Sequence, residues 1–172
     1  MPIAMLARLA LAAAALGSCA AARPSAPGPS AECLVGRVVD GDTFYCRDGR
    51  KVRLLGIDSP ERGQGAAGRL ARQALERLML VDRPVRLEGD VTATDRFGRV
   101  LAYAWVGATL VNEAMVRDGW AVRYTVPPDV KYADRIARAQ KEARARRAGL
   151  WASGGFECLP SAYRRRECLG SP

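Results

Sequence analysis

The sequence predicts an α+β protein that is mainly β: a five-stranded OB-fold, which is a Greek-key barrel, with about three helices. Three short runs rich in β-branched residues follow one another between Leu34 and Ile57, and Asp-Gly pairs separate them. Two further strand-like runs lie later in the chain, and helical periodicity follows the third run and the fifth. This pattern is typical of a small OB barrel with inserted helices.

The first three strands are predicted to form an antiparallel meander over Leu34–Val39, Thr43–Arg47 and Lys51–Ile57. The Asp-Gly pairs after the first and the second strand favour tight hairpin turns. Apolar side chains between residues 67 and 80 then recur at helical spacing. We therefore expect the first helix to follow the third strand.

The second half of the predicted domain contains two strands and two helices. The strands are expected at Pro84–Glu88 and Val100–Val106, and a short helix should end at Gly119. The last helix is predicted to begin at Pro127-Pro128-Asp129 and to stop at Gly149, because proline favours helix starts and glycine favours helix ends.

The beginning of the chain indicates export. Residues 1–22 resemble a signal peptide, with Arg8 before a short apolar stretch and small residues at the cleavage site. The segment that ends at Cys19 also resembles a bacterial lipobox, in which residues 1–18 are removed and Cys19 is lipidated; both alternatives stay open. Residues 23–31 have the composition of a disordered linker. We expect a periplasmic or secreted protein, or a lipoprotein anchored to the membrane through Cys19.

The other four cysteines are expected to form disulfides, because an even number of cysteines in an exported chain indicates a disulfide framework. Sequence proximity favours Cys33 with Cys46 and Cys158 with Cys168 among the possible pairings. A zinc site is the alternative, but neither pair has the short spacing that such sites prefer.

The predicted folded domain spans residues 32–151, and a disulfide-closed tail follows over residues 152–172. The formal net charge of +9 favours a polyanionic partner, either nucleic acid or an anionic membrane surface, over a merely basic soluble protein. The chain contains no histidine, which excludes Ser-His-Asp and Cys-His catalysis and histidine-ligated zinc. Acid–base chemistry must therefore use other groups, above all carboxylates.

Three carboxylates lie at predicted turns, where strand ends expose them. Asp42 follows the first strand, and Asp58 and Glu61 follow the third. Hard oxygen ligands of this kind suit Ca²⁺ or Mg²⁺. Two aspartates with a backbone carbonyl and water can hold such an ion, and Glu61 lies where a general base would be useful. The alternative is that these side chains only cap hydrogen bonds in their turns.

Two arginines lie close to these turns in the sequence. Arg53 sits within the apolar third strand, where a charge is costly unless it is paired or faces a polar cleft. Arg99 opens the fifth strand. Phosphoryl transfer uses planar, bidentate cations to hold the charge on the phosphoryl oxygens. The alternative is a structural ion pair with the aspartates.

Five collinear blocks resemble the staphylococcal nuclease (thermonuclease) family. The blocks are Val39–Thr43, Arg53–Glu61, Thr94–Tyr103, Val111–Gly119 and Ala148–Trp151. Each block alone is a weak motif, but their matching order and spacing across the predicted domain make the resemblance specific.

This resemblance implies a Ca²⁺-dependent phosphodiesterase that hydrolyses DNA and RNA to 3′-phosphate products. Single-stranded or locally melted nucleic acid is the favoured substrate, the protein is expected to be a monomer, and no protein partner is implied. The family's catalytic set is present in full: Asp42 and Asp58 would bind Ca²⁺ by carboxylate and Ser59 by its carbonyl, Glu61 would act as general base, and Arg53 and Arg99 would contact the scissile phosphate.

The candidate nucleic-acid contacts are Arg96, Phe97 and Tyr124. Phe97 stands where members of the family commonly carry a tyrosine, so one hydroxyl contact is missing. Tyr124 lies near a position at which the family stacks a base. The tail after Trp151 has no counterpart in the resemblance.

Two other functions remain as alternatives: a non-catalytic nucleic-acid-binding module and an envelope scaffold lipoprotein. The basic charge permits both of them. Neither needs the five side chains Arg53, Asp42, Asp58, Glu61 and Arg99, so their joint presence favours the enzyme.

Overall fold

The computed structural model describes residues 30–168, and the centre of this part is a closed barrel of five strands. The barrel strands pair in the order β3-β2-β1-β5-β6, and a parallel pairing between β6 and β3 closes the cylinder. The strands are β1 (Ser30–Val38), β2 (Thr43–Cys46), β3 (Lys51–Leu54), β4 (Ile57–Asp58), β5 (Pro84–Glu88), β6 (Val100–Val106), β7 (Thr109–Leu110) and β8 (Val122–Arg123). The predicted mainly-β OB-fold is confirmed.

Three main helices pack around the barrel in the predicted order. They are α1 (Gly65–Leu78), α2 (Val111–Arg117) and α3 (Ala133–Ala145), with a short α4 (Pro160–Arg164) in the tail. A 3₁₀ turn, Gly149–Trp151, follows α3. None of the helices within residues 30–168 has the length and apolar character needed to cross a bilayer.

The core lies inside the barrel and under the helices. Phe44, Val52 and Leu54 are almost completely buried, and Leu75 of α1 and Met115 of α2 cover the barrel from outside. Each such side chain contributes about 1.5–3 kcal/mol by burial. These apolar contacts hold the strand ends, and therefore the turns between them, in fixed positions.

The third strand is shorter than predicted. Gly56 has a φ of +75°, which favours glycine, and it turns the chain out of the barrel after Leu54. The next two residues form β4, which pairs with Val122 and Arg123 of β8 instead of with a barrel strand. The sequence reads as one continuous strand because the residues on both sides of Gly56 are apolar.

Two other boundaries also differ from the prediction. The last helix begins at Ala133, because a turn with a bridge between Val126 and Asp129 occupies the segment that was predicted to start it. The first strand begins at Ser30, which pairs with Glu88 of β5, so it includes two residues assigned to the linker.

The structure contains both predicted disulfides. Cys33 joins Cys46 across β1 and β2, with their Cα atoms 5.5 Å apart, and Cys158 joins Cys168 in the tail, at 5.8 Å. The predicted signal peptide over residues 1–22, lipidation of Cys19 and most of the predicted linker lie outside the described residues and stay predictions.

One buried side chain ties the site-bearing turn to the barrel. Asn112 of α2 donates from Nδ2 to the carbonyl of Leu55 at 2.8 Å. Its Oδ1 accepts the backbone N–H of Ala104 at 2.9 Å. Asn112 is completely buried, so replacing it with an apolar residue would leave these backbone groups without partners.

Candidate active site

The three predicted turns meet in one cleft with a volume of about 890 Å³. The cleft brings together side chains that lie far apart in the sequence. The sequence-predicted residues that line it are Asp42, Arg53, Ser59, Glu61, Arg96, Phe97, Arg99 and Tyr124. Asp58 lies beneath them, 1% exposed, and its carboxylate contacts two arginines of the cleft.

The first acidic turn packs directly on the end of β4. A Cβ atom at Gly41 would lie 2.7 Å from Cβ of Ser59 and 2.8 Å from Cβ of Ala71, so only glycine permits this approach. Asp42 accepts the backbone N–H of Ser59 on Oδ2 at 2.8 Å and the hydroxyl of Thr43 on Oδ1 at 2.9 Å. The Asp42 carboxylate therefore has a fixed orientation beside Asp58 and Ser59.

Arg53 lies between the two aspartates. Its Nε is 3.1 Å from Oδ1 of Asp42, and its Nη2 is 3.2 Å from Oδ1 of Asp58. Its Nη1 donates to the carbonyls of Leu54 at 2.6 Å and Ile57 at 2.8 Å. Arg53 thus makes the structural ion pairs considered as an alternative, and the same contacts hold its guanidinium in the cleft wall.

The carboxylates at the base of the cleft are crowded and partly desolvated. Burial raises the pKa of Asp58, with Asp42 adding to the effect, although hydrogen bonding to Arg164 and the charge of Arg53 oppose it. Burial and the neighbouring Asp42 raise the pKa of Asp40 to about 7. Such crowded, partly desolvated carboxylates favour the binding of a further cation.

The donor chemistry fits a hard cation. Asp42 and Asp58 each turn a carboxylate oxygen toward Arg53, and Ser59, which follows Asp58 in the chain, donates its backbone N–H to Asp42. No group of three or more acidic, histidine or cysteine side chains within residues 30–168 is arranged to hold a metal. An ion at this place would therefore depend on two carboxylates, a backbone carbonyl and water, which is an open site of the kind Ca²⁺ accepts.

Glu61 stands at the mouth of the cleft, in the loop that leads into α1. Its backbone N–H donates to Oε1 of Gln64 at 2.8 Å, which closes the loop. Its side chain is 35% exposed. A Cβ at Gly68 would collide with the carbonyl of Glu61, so the first turn of α1 packs tightly against this loop. Glu61 is thus a carboxylate with access to solvent, next to the buried aspartates.

The third turn places two arginines beside an exposed ring. Asp95 accepts the backbone N–H groups of Phe97 and Arg99 on Oδ1 and the Nε of Arg99 on Oδ2, the last at 2.6 Å. Burial opposes ionisation of Asp95, but these hydrogen bonds outweigh it and lower its pKa. The guanidinium carbons of Arg96 and Arg99 lie 4.7 and 5.6 Å from the centre of the Phe97 ring.

Two aromatic side chains are exposed in the cleft lining, Phe97 by 68% and Tyr124 by 44%. Exposed rings of this size are suited to base stacking, and the neighbouring arginines suit a phosphate backbone. The structure therefore brings the predicted nucleic-acid contacts to the same cleft as the predicted catalytic residues.

Sequence reasoning considered the arginine run at residues 164–166 only for backbone contacts to nucleic acid or as a solvated loop, and it did not place Arg164 at the candidate site. This residue of α4 contacts Asp58 and Glu61, more than 100 positions earlier in the chain. The run of arginines between Cys158 and Cys168 is visible in the sequence, but nothing local places it at the cleft.

Comparison with known proteins identifies the family. The model of the staphylococcal nuclease homologue family matches residues 51–153. The chain is 36% identical to a thermonuclease of Staphylococcus hyicus over 125 residues, covering 68% of this chain and 73% of the relative. It is 37% identical to a thermonuclease of Staphylococcus intermedius (69% and 74% covered) and 38% identical to a micrococcal nuclease of Shigella flexneri (67% and 70%). The chain belongs to the staphylococcal nuclease family.

Proposed function

We propose that the protein is an exported, Ca²⁺-dependent nuclease that hydrolyses DNA and RNA to 3′-phosphate products. Membership of its family and its thermonuclease and micrococcal nuclease relatives make it a hydrolase of phosphodiester bonds. The observation that carries the finer proposal is the meeting of Asp42, Asp58 and Glu61 with Arg53 and Arg99 in one cleft.

Asp42 and Asp58 would hold the calcium ion through their carboxylates, with the carbonyl of Ser59 as a further ligand. The bound ion would supply positive charge beside the reacting phosphate and act as a Lewis acid. The buried position of both aspartates supports this assignment, because a buried carboxylate keeps its charge most readily beside a cation.

Glu61 would remove a proton from the attacking water. The water oxygen bonds to phosphorus, the bond from phosphorus to the 5′ oxygen breaks, and that oxygen leaves with a proton from solvent. The phosphate then remains on the 3′ oxygen. The partial exposure of Glu61 supports this role, since a base must reach both water and substrate.

Arg53 and Arg99 would donate to the non-bridging phosphoryl oxygens, where charge is concentrated during the reaction. The two residues enter the cleft from different turns, so they can hold one phosphate from two sides. Arg99 would exchange its contact with Asp95 for one with the phosphate. Fixed contacts with two carbonyls keep Arg53 preorganised.

Phe97 and Tyr124 would stack on bases next to the scissile phosphate, and Arg96 would contact the backbone. Stacking on both rings requires unpaired bases, which favours single-stranded or locally melted substrates. Export of the protein is part of the proposal, by ordinary signal cleavage or with lipidation of Cys19; the two disulfides support an oxidising compartment.

The deciding experiment incubates the purified mature protein with denatured DNA and with RNA, in Ca²⁺ or in excess chelator. We expect cleavage only in Ca²⁺, with phosphate on the 3′ ends of the fragments. Binding of both nucleic acids without cleavage at any Ca²⁺ concentration would refute the enzyme and favour a binding module. Equal cleavage in Ca²⁺ and in chelator would refute only the Ca²⁺ dependence and would leave the nuclease activity standing.

A further inference from the structure

The tail returns to the cleft and places Arg164 on two of its carboxylates. Nη1 and Nη2 of Arg164 donate to Oδ1 and Oδ2 of Asp58 at 2.9 and 2.8 Å, which is a bidentate pair. Nη1 also donates to Oε1 of Glu61 at 2.7 Å. One guanidinium thus joins the proposed metal ligand to the proposed general base.

Independent contacts hold this part of the tail in place. The disulfide between Cys158 and Cys168 closes a loop that contains α4. Gln64, which also binds the backbone of Glu61, donates from Nε2 to the carbonyl of Cys158 at 2.9 Å. The ring of Tyr163 packs so closely on Gly63 that a side chain at that position would collide with its hydroxyl. The disulfide, the hydrogen bond from Gln64 and the packing of Tyr163 therefore hold the backbone around Arg164 beside the cleft.

The ion pair between Arg164 and Asp58 lies where another cation can displace the arginine. Asp58 is almost completely buried, but the side chain of Arg164 is 40% exposed, so solvent weakens the pair from the arginine side. Arg164 lines the main cleft and also an adjoining cavity of about 440 Å³. The guanidinium can therefore move away from Asp58 without any change in the barrel.

Arg164 and a calcium ion would use the same carboxylate. Both oxygens of Asp58 face the guanidinium in the paired state, and two cations on one carboxylate repel each other. Binding of one must therefore weaken binding of the other. The pair with Glu61 has a second effect, since the guanidinium occupies Oε1, one of the two oxygens that would contact the attacking water.

We propose that Arg164 is a tethered competitor of Ca²⁺ for Asp58, through which the disulfide-closed loop sets the Ca²⁺ concentration that the nuclease requires. The inference rests on the proposed Ca²⁺ site. At low Ca²⁺ the loop holds the site in a paired, inactive state; at high Ca²⁺ the ion displaces Arg164 and frees Glu61 in the same step.

The test measures Ca²⁺ affinity directly, by calorimetry without nucleic acid. If the unpaired state is populated at about one tenth, Arg164→Gln should bind Ca²⁺ about tenfold more tightly than the unmodified protein. Arg165→Gln is the matched control, because Arg165 pairs with Glu167 and lines neither cavity. Lysine cannot form the bidentate pair, so the Ca²⁺ affinity of Arg164→Lys should lie between those of Arg164→Gln and the unmodified protein.

Cleavage assays give a second readout with the same variants. The Ca²⁺ concentration for half-maximal rate should fall for Arg164→Gln by the same factor as the dissociation constant, with the rate at saturating Ca²⁺ retained. A rate that falls at saturating Ca²⁺ while the affinity is unchanged would overturn the proposal and make Arg164 a substrate-binding residue.

The role of the loop is tested by replacing Cys158 and Cys168 with serine together. Without the disulfide we expect tighter Ca²⁺ binding, and Arg164→Gln should add less in this background than in the unmodified protein. Equal Ca²⁺ affinity with and without the disulfide would overturn the part assigned to the loop.

Failure of this inference can be distinguished from failure of the proposed function. Equal Ca²⁺ affinities of the unmodified protein and Arg164→Gln would overturn only the competition. If neither protein bound Ca²⁺ at millimolar concentration, the proposed metal site and the competition would both be wrong.

Discussion

Two buried carboxylates, Glu88 and Asp58, meet cations from distant parts of the chain, but they are surrounded differently. Glu88 of β5 is 3% exposed. Its Oε1 lies 2.5 Å from Nζ of Lys131 and accepts the hydroxyl of Tyr132 at 3.0 Å. Its Oε2 accepts Nε1 of Trp105 at 2.9 Å and Nη1 of Arg86 at 3.2 Å. Burial opposes its ionisation, but these donors outweigh burial and lower its pKa.

Asp58 has strong partners too, yet its pKa is raised. It is 1% exposed, it shares Arg53 with Asp42, and the like charge of Asp42 adds to the cost of burial. Glu88 is thus a carboxylate matched by donors, whereas Asp58 is buried beside a like charge, which is consistent with the metal-ligand role proposed for it. A structural carboxylate is matched by donors within the fold, whereas a site that must bind a cation keeps an excess of negative charge.

Replacing Glu61 with glutamine should have the largest effect on rate. The variant keeps the shape and the hydrogen bonding of the side chain but cannot accept a proton, so the cleavage rate at saturating Ca²⁺ should fall by about 10²–10⁴-fold. The midpoint of urea unfolding should stay unchanged, because Glu61 is partly exposed.

Glu76→Gln is the control for this experiment, since Glu76 is also partly exposed and pairs with Arg72 on α1, outside the cleft. An unchanged cleavage rate in Glu61→Gln would show that the cleft carboxylate has no catalytic role.

Arg99→Ala should lower the rate by about 10²–10³-fold, since it removes a donor to the phosphoryl oxygens. Its pair with Asp95 lies near the surface, so stability should change by less than about 1 kcal/mol. Rates come from cleavage of denatured DNA and stabilities from urea unfolding.

Arg47→Ala breaks a similar pair, between Arg47 and Asp82, away from the cleft. This control should keep its full rate. If both arginine variants lost the same activity, Arg99 would have no special role at the phosphate.

Glu88→Gln should lose stability and keep its cleavage rate, which is the opposite of the result expected for Glu61→Gln and Arg99→Ala. It leaves Lys131 and Arg86 without their carboxylate and should lower the free energy of unfolding by about 2 kcal/mol, roughly 30-fold in the equilibrium constant. Cleavage rate and Ca²⁺ affinity should not change at temperatures where the variant is folded. A loss of activity without a loss of stability would place Glu88 in the functional site and end the distinction from Asp58.

The smallest expected effect is on the pH dependence of the free energy of unfolding. The pKa of Glu88 is lower in the folded than in the unfolded protein, so the folded state binds fewer protons and the stability from Glu88 is lost as pH falls. The difference in unfolding free energy between the unmodified protein and Glu88→Gln should therefore stay constant above about pH 5 and shrink as the pH falls below the unfolded glutamate pKa of about 4.3. A difference in unfolding free energy that widened on acidification would contradict the lowered pKa of Glu88.

Much of the fold and of the site could be predicted from local sequence patterns. The turn at Asp40-Gly41, the strand Val100–Val106 and the carboxylates at strand ends all depend on residues that are close in sequence. Such signals reflect backbone preferences and side-chain periodicity, which each segment carries by itself. Proximity in the chain also predicted the two disulfides correctly.

The errors lie where tertiary pairing competes with local preference. The apolar residues of β3 and β4 form one run in sequence, but the turn at Gly56 and the pairing with β8 divide it. Pro127 and Pro128 favour a helix start, but Asp129 accepts the backbone N–H of Thr92 at 2.8 Å and is held in a turn.

The sequence by itself therefore determined the barrel, the family and the turns that line the candidate site, because these depend on patterns within short segments. The tertiary structure decided which carboxylates are matched by donors. The separation along the chain is 57 residues between Asn112 and Leu55 and 106 between Arg164 and Asp58. Contacts over such separations leave no periodicity in the sequence, since either partner alone is only an ordinary polar residue; the packed barrel and the closed tail bring them together.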